Sequence, residues 1–477
     1  MSEDRETGGL NRGSGEQDAP EKDIEQKDPD LEQADVQQLE LNIEVPETGE
    51  AESAHAGQSG AIRFINARIV TPGGTIAEGS CTVSGGRIVS IDESGEAADP
   101  GAESGAAGSS AGGTDSSSAD RSAKANAAAA GDRGVQIVDA AGGWLLPGFV
   151  DIHVHGGMGE DFMDSAKPGA IETIAGFHGA QGSTSMLATT MTATHDMIDS
   201  VLEAVWAYRQ QGDRPGASIE GVHLEGPFIS PKWPGAQNPD HISLPRTDWL
   251  EDWEARFPGL IRQLTLAPER EGALETVAWL RANGITAALG HTDASYEEVQ
   301  AAVGAGLNHA VHTFNAMTPL HHRKPGAAGA VLGTDAITAE IIADGIHVHP
   351  GAVKLLAKMK SEDNLVLVTD AMSAAGLGDG DYFLGDLPVV VKDGVALTQG
   401  GALAGSRLTM AEGFRFLVRQ AGLSVERASG AASAAPARQA GIYGETGSLE
   451  PGKRADLVLL DEELELRGVW AAGRKIG

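Results

Sequence analysis

From residue 144 to about residue 370, short apolar runs alternate with longer amphipathic ones. The strand-like runs are Trp144 to Ile152, Thr184 to Thr190, Ser218 to Leu224, Ile261 to Ala267, Ile285 to Gly290, Ala310 to Phe314, Ile337 to Ala343 and Leu365 to Thr369. Between them, Ile198 to Arg209, Ala273 to Ala282, Tyr296 to Ala305 and Ala352 to Met359 repeat their apolar residues at helical spacing. Eight strands with intervening helices over about 230 residues predict an α/β fold, a (β/α)8 barrel of the TIM type, with chemistry at the carboxyl ends of the strands. A doubly wound open sheet is the alternative.

Before this region lie β-rich runs at Ile62 to Val70, Cys81 to Val83, Arg87 to Ile91 and Val135 to Asp139, and after it Ala455 to Leu460 and Val469 to Ile476. Domain termini often lie close together, so the two sets are expected to pair into one small discontinuous β-sandwich. The predicted organisation is a barrel over 144–444 and a sandwich from 61–143 and 445–477. Residues 1–60 carry 17 acidic and 4 basic residues and no aromatic, so they bury too little apolar surface to offset ordering entropy and are expected to form a disordered tail. A second run of Ala, Gly, Ser, Asp and Glu, about 93 to 134, reads as a flexible insertion.

Charge and cysteine content narrow the chemistry. The 477 residues carry a formal charge of −33, which repels phosphate backbones and anionic headgroups, so neither nucleic-acid nor membrane partners are expected. A single cysteine, Cys81, excludes an internal disulfide, a Cys-rich zinc site and an iron–sulfur cluster. No long apolar run and no basic, apolar leader is present, so a soluble cytoplasmic protein is the expectation.

Nearly every expected strand ends in a residue that can bind a metal or carry a proton. The first ends in Asp151-Ile152-His153-Val154-His155-Gly156, where period-two alternation directs both imidazoles to one side. Others end in His223-Leu224-Glu225, Gly290-His291-Thr292-Asp293, His312-Thr313-Phe314-Asn315 and Thr369-Asp370-Ala371. Closing a barrel gathers these groups at one mouth. Nitrogen and carboxylate donors without thiolate suit zinc, iron or another divalent first-row ion. His55, His178 and His195 fall in helical or tail context and are expected to be solvated. His321, His322, Arg323 and Lys324 form a cationic patch, either a solvated loop or a site for an anionic substrate group.

The run Pro147-Gly148-Phe149-Val150-Asp151-Ile152-His153-Val154-His155-Gly156 resembles the opening motif of the amidohydrolase superfamily. His223-Leu224-Glu225-Gly226-Pro227-Phe228, His312-Thr313-Phe314-Asn315-Ala316-Met317 and Ala343-Asp344-Gly345-Ile346-His347 are similar to N-acetylglucosamine-6-phosphate deacetylases. The resemblance spans about residues 61 to 92 and 135 to 475. It implies that Glu225, His291 and His312 hold the principal divalent metal and that Asp370 is the catalytic carboxylate. His153 and His155 match a pair that binds a second metal in some members, so one or two ions are implied. Asn315, Ala316 through its backbone, Arg323 and His347 fall where the family holds the sugar phosphate, Arg323 crossing a dimer interface. The resemblance thus implies a homodimer acting on a small amino-sugar phosphate, releasing acetate from N-acetylglucosamine 6-phosphate.

One segment departs from the family pattern. Where members often carry a histidine that polarises the acetyl carbonyl, this chain reads Gly235-Ala236-Gln237-Asn238-Pro239. Gln237 can donate a hydrogen bond but no proton or charge, and His241 is a candidate substitute. Two rival readings remain: an amidohydrolase for another N-acyl or cyclic amide, and a non-catalytic relative keeping the barrel as a scaffold. Thr265-Leu266-Ala267-Pro268-Glu269 lacks the metal-bridging lysine of many cyclic-amide hydrolases.

Overall fold

The computed structural model describes residues 60–93, 134–212 and 215–477. The expected tail and the insertion between residues 93 and 134 fall outside the described residues. In chain order the strands are β1 (Ile62–Thr71), β2 (Gly74–Ser84), β3 (Arg87–Glu93), β4 (Gln136–Asp139), β5 (Trp144–Pro147), β6 (Phe149–Val154), β7 (Gly156–Gly157), β8 (Glu160–Asp161), β9 (Ser183–Thr190), β10 (Ser218–Glu225) and β11 (Ile261–Leu266). They continue with β12 (Thr286–Leu289), β13 (His309–Ala310), β14 (Thr338–Ile342), β15 (Leu365–Val368), β16 (Gly380–Leu384), β17 (Leu387–Lys392), β18 (Val395–Thr398), β19 (Leu457–Leu460), β20 (Leu466–Ala471) and β21 (Arg474–Lys475).

Strands β6 and β9 to β15 form a parallel sheet in the order β6-β9-β10-β11-β12-β13-β14-β15. A parallel bridge between Val154 and Ala371, with His155 N donating to Ala371 O at 2.8 Å and Asp370 N to His153 O at 2.8 Å, joins the first strand to the last and closes the barrel. Helices Ala170–Ala180, His195–Gln210, Thr247–Arg256, Ala273–Ala282, Tyr296–Ala305, Gly326–Gly333 and Pro350–Met359 follow the strands in turn. Barrel strands covered by helices are apolar on both faces, which is why β9 and β14 are buried throughout and read as continuous runs. The Tyr296–Ala305 helix starts with a capping box from Ser295 and Glu298.

Both ends of the described chain meet in the other large sheet, ordered β21-β20-β19-β5-β1-β2-β3 with β4 on β1. Ile88 N donates to Lys453 O and Ala455 N to Gly86 O, so this sheet curls back on itself around its own core. There Trp470 meets Phe64 edge-on at 4.8 Å and Cys81 is fully buried. Burying an aromatic side chain of 150–250 Å² contributes on the order of 4 to 6 kcal/mol at about 25 cal/mol per Å². Burial pushes the Cys81 thiol up to about 12, so it stays protonated and unreactive.

Three expectations are corrected. Trp144 to Ile152 is two strands: β5 lies in the terminal sheet beside β1 and β19, and β6 enters the barrel after Gly148, where a Cβ would strike Thr184 at 2.2 Å. The strand expected at Ala310 to Phe314 ends at Ala310, and the residues beyond turn through left-handed backbone at His312 and Phe314. His178 is buried rather than solvated, donating from its ring to Gly156 O at 2.9 Å. Burial pushes it down to about 4. His195 is half-buried and stacks on Trp253. The antiparallel sheet β16-β17-β18 had no counterpart in the sequence reading. It packs Leu384, Val389 and Val391 onto Met191, Ala236 and Met372 beside the barrel mouth.

Candidate metal centre and active site

Each strand-end group is delivered by a break in the strand behind it. His291, His312 and Asp370 follow β12, β13 and β15 with φ of 47°, 28° and 49°, a left-handed backbone uncommon for any residue but glycine. Gly290 before His291 has no room for a side chain, since a Cβ would meet Val311 at 2.2 Å. Glu225 ends β10 and is followed by Gly226 at φ 87°, where a Cβ would lie 2.1 Å from the Thr192 hydroxyl. His153 lies on β6 and His155 just beyond it.

These side chains converge. Glu225 Oε1 lies 3.0 Å from His312 Nε2, 3.3 Å from His291 Nε2 and 3.2 Å from His153 Nε2, and His291 and His312 bring their Nε2 atoms within 3.1 Å. On the other side, His155 Nε2 lies 3.3 Å from Glu225 Oε2 and 3.2 Å from Asp370 Oδ1, with His153 Nε2 3.7 Å from the same Oδ1. Ligand bonds of about 2.0–2.1 Å imply donor separations of roughly 2.9 Å around an octahedron and 3.3 Å around a tetrahedron, the range found here. His153 Nε2 is buried without a hydrogen-bond partner, as a nitrogen aimed at a cation would be. The donor set therefore fits a divalent metal, with two overlapping groups, His153–Glu225–His312 and His153–His155–Asp370, and with Glu225 Oε2 reaching the second.

The electrostatics agree. Burial alone would raise the Glu225 carboxyl, but the surrounding imidazoles hold it well below the usual carboxylate range, and Asp370 is lowered in the same way. Burial would lower His155, yet hydrogen bonds to Asp370 and Glu225 lift it to about 9. Buried acids that draw protons onto neighbouring imidazoles mark a place where positive charge is favoured.

The cavity above these donors measures about 350 Å³ and is lined by His155, Glu225, Gln237, His291, His312, Asn315, Ala316, His347 and Asp370. Lys232 and Trp233 form one wall; Met191, Leu384 and Leu403 form an apolar one. The His347 ring contacts Asp344 Oδ2 at 2.6 Å, and although burial would lower it, that hydrogen bond and charge raise it above its ordinary value. Gln237 Nε2 donates to Glu225 Oε2 at 2.6 Å, and its Oε1 accepts from Thr192 N at 2.6 Å.

The match to known proteins follows this geometry. Residues 144–476 match the model of the Amidohydrolase family. The N-acetylglucosamine-6-phosphate deacetylase of Bacillus subtilis (strain 168) is 41% identical over 324 residues, 68% of this chain and 82% of the relative. The chain belongs to the amidohydrolase family. A second relative, the N-acetylgalactosamine-6-phosphate deacetylase of Escherichia coli O157:H7, is 40% identical over 330 residues, 69% of this chain and 87% of its own. A mutant of the N-acetyl-D-glucosamine-6-phosphate deacetylase of Mycobacterium smegmatis, solved in complex with N-acetyl-D-glucosamine-6-phosphate, superposes with a TM-score of 0.74 at 31% identity, covering 88% of this chain and 100% of that one.

Within this amidohydrolase, ten of the eleven residues singled out from the sequence lie around one centre. His153 supports it from below, and the other nine line the cavity. Arg323 does not line it. It is exposed in the loop after Met317, contacting the His322 ring at 2.7 Å, and borders a separate cavity of about 780 Å³. His241 lies 3.5 Å from Asp386 rather than facing the metal donors. Among the described residues no helix is long and apolar enough to cross a membrane.

Three buried side chains around the centre have partners that no motif in the sequence specifies. Asp151 accepts from the Thr369 hydroxyl at 2.6 Å, and burial raises it to about 7. The His223 ring meets the Thr265 hydroxyl at 2.8 Å and packs edge-on against His153 at 4.6 Å. Glu340 contacts the rings of His153 and His309, each at 2.8 Å. The signal for Glu340 was its position as the one charged residue in the run Ile337 to Ala343.

Proposed function

We propose that the chain hydrolyses the acetamide of N-acetyl-D-glucosamine 6-phosphate, giving D-glucosamine 6-phosphate and acetate. The observation that carries this reading is the convergence of Glu225, His291, His312, His153, His155 and Asp370 beneath a cavity of about 350 Å³, in a chain whose relatives act on that substrate. Glu225, His291 and His312 would hold the principal divalent ion, zinc or iron, and His153, His155 and Asp370, with Glu225 shared, a second. Such an ion supplies Lewis acidity at the carbonyl and brings the pKa of water from 15.7 towards about 7.

The chain's own residues do the rest. Asp370 Oδ1 sits at the edge of the donor cluster, where it can take a proton from the attacking water as its oxygen bonds to the acetamide carbon. The same carboxyl then returns that proton to the sugar nitrogen as the C–N bond breaks, so its resting ionised state is restored. Gln237 is committed to Glu225 and Thr192, which supports a role in fixing the Glu225 carboxylate. His347, Asn315 and the backbone of Ala316 would face the phosphate end. Arg323 stands outside its own cavity, a placement compatible with delivery to a second copy's site in a homodimer. The enzyme would work in the cytoplasm, where such sugar phosphates are found.

The test is acetate release from N-acetylglucosamine 6-phosphate, N-acetylgalactosamine 6-phosphate and unphosphorylated N-acetylglucosamine, before and after chelation and after metal return. The proposal expects the first to be the best substrate and metal to restore the loss. Preference for the galactose epimer would reassign the substrate, and turnover unaffected by complete metal removal would refute the reaction.

A further inference from the structure

One charged side chain in the barrel interior touches no cavity and takes no part in the chemistry above. Glu340 on β14 is fully buried, and each of its oxygens is used twice. Oε2 accepts from His153 Nδ1 at 2.8 Å and from His312 N at 3.3 Å, while Oε1 accepts from His309 Nε2 at 2.8 Å and Gln263 Nε2 at 3.1 Å. A carboxylate can only accept, so His153 must carry its proton on Nδ1, which leaves the Nε2 lone pair pointing at Glu225 and Asp370. Nothing else holds that tautomer, since the His153 ring has no second hydrogen-bond partner. The principal-position ligands are held differently: His291 Nδ1 is fixed by Trp233 O at 3.1 Å, and His312 Nδ1 has no partner.

We propose that Glu340 is the positioning residue for the second metal position: by fixing the tautomer and tilt of His153 it makes that position able to bind an ion, with little influence on the position at Glu225, His291 and His312. This rests on the metal-dependent reading above. His309 and Gln263 are the props that keep the carboxylate in place, and burying an unpaired carboxylate without them would be strongly unfavourable. Glu340 acts on the reaction chiefly through the His153 ring at 2.8 Å, its contact to the His312 backbone N at 3.3 Å being the longer one.

The test is a calorimetric titration of metal-free protein with Zn²⁺, with the bound metal counted after gel filtration, for wild type, Glu340→Gln and Glu340→Leu. Glutamine keeps the shape but loses the charge and one acceptor; leucine leaves both imidazole N–H groups unpaired. The wild type is expected to bind two equivalents, and Glu340→Gln to weaken the second by about 10-fold or more while the first stays within about 3-fold, the lower range for a lost carboxylate behind a metal-ligating histidine. Leucine should remove the second equivalent; if that variant does not fold, the glutamine variant decides alone. Equal weakening of both equivalents would mark Glu340 as merely structural, an unchanged second equivalent would remove its role, and a wild type that binds one ion would leave no second position; each overturns the inference. Failure of the wild type to release acetate, with the two-step titration intact, would instead refute the proposed reaction.

Discussion

Replacing Asp370 by asparagine removes one charge and the capacity to carry a proton while keeping the side-chain volume. The backbone around it is held independently: Asp370 N donates to His153 O, and its own O accepts from Ser406 N at 2.7 Å, so the left-handed turn should persist. Asparagine itself tolerates that backbone well. The Asp370 carboxyl makes no contact with His291 or His312, so the ion at Glu225, His291 and His312 should be retained, while the position shared with His155, 3.2 Å away, has an anionic donor replaced by a neutral one. General acid–base transfer contributes about 10²- to 10⁴-fold, which at 1.36 kcal/mol per decade is about 3 to 5 kcal/mol of barrier. In the proposed mechanism one group serves both the attack and the departure, so kcat should fall by at least about 10²-fold with KM little changed. The assay is coupled acetate release at saturating substrate, with metal content measured on the same preparation. Turnover within a few-fold of wild type, at equal metal content, would remove Asp370 from both proton transfers.

Arg323→Ala should raise KM for the phosphorylated sugar by about 10-fold or more, since the proposed charge-assisted contact to the phosphate would be lost, and leave the unphosphorylated sugar unaffected; equal effects on both substrates would end its phosphate role. His178 titrates near 6.5 when unfolded and about 4 when folded. Its stabilising contribution is complete above pH 6.5 and is lost as pH falls towards 4, by up to about 3 kcal/mol. Denaturant midpoints of His178→Gln and wild type, compared at pH 7.5 and 4.5, should therefore converge or cross at the acid end. A constant difference between the two would refute the buried neutral state.

The alternation of apolar runs was enough to recover the barrel, because parallel strands buried on both faces leave continuous Val, Ile, Leu and Ala stretches that loops do not mimic. Helices Ala273–Ala282 and Tyr296–Ala305 match their expected bounds, since Gly284 and the Ser295 cap mark ends that are local in sequence. The candidate ligands were legible for a related reason: His, Glu and Asp at the ends of apolar runs have little packing rationale. The sheet β16-β17-β18 was not legible, because its alternation is that of an exposed hairpin and its one apolar face finds a partner only across the barrel mouth.

Sequence by itself determined which residues are candidates for the chemistry and that they recur at strand ends. Only the tertiary structure decided how they are held: that Trp144–Pro147 leaves the barrel for the terminal sheet, that His178 is buried, that Gln237 is tied to Glu225, and that Glu340 and Asp151 brace His153 from inside. The widest of these contacts, Leu460 with Trp144, joins residues 316 positions apart. A single buried carboxylate looks the same in sequence whether it is braced or stranded. Closure of the barrel supplies the partners that make its burial affordable, and no local pattern encodes them.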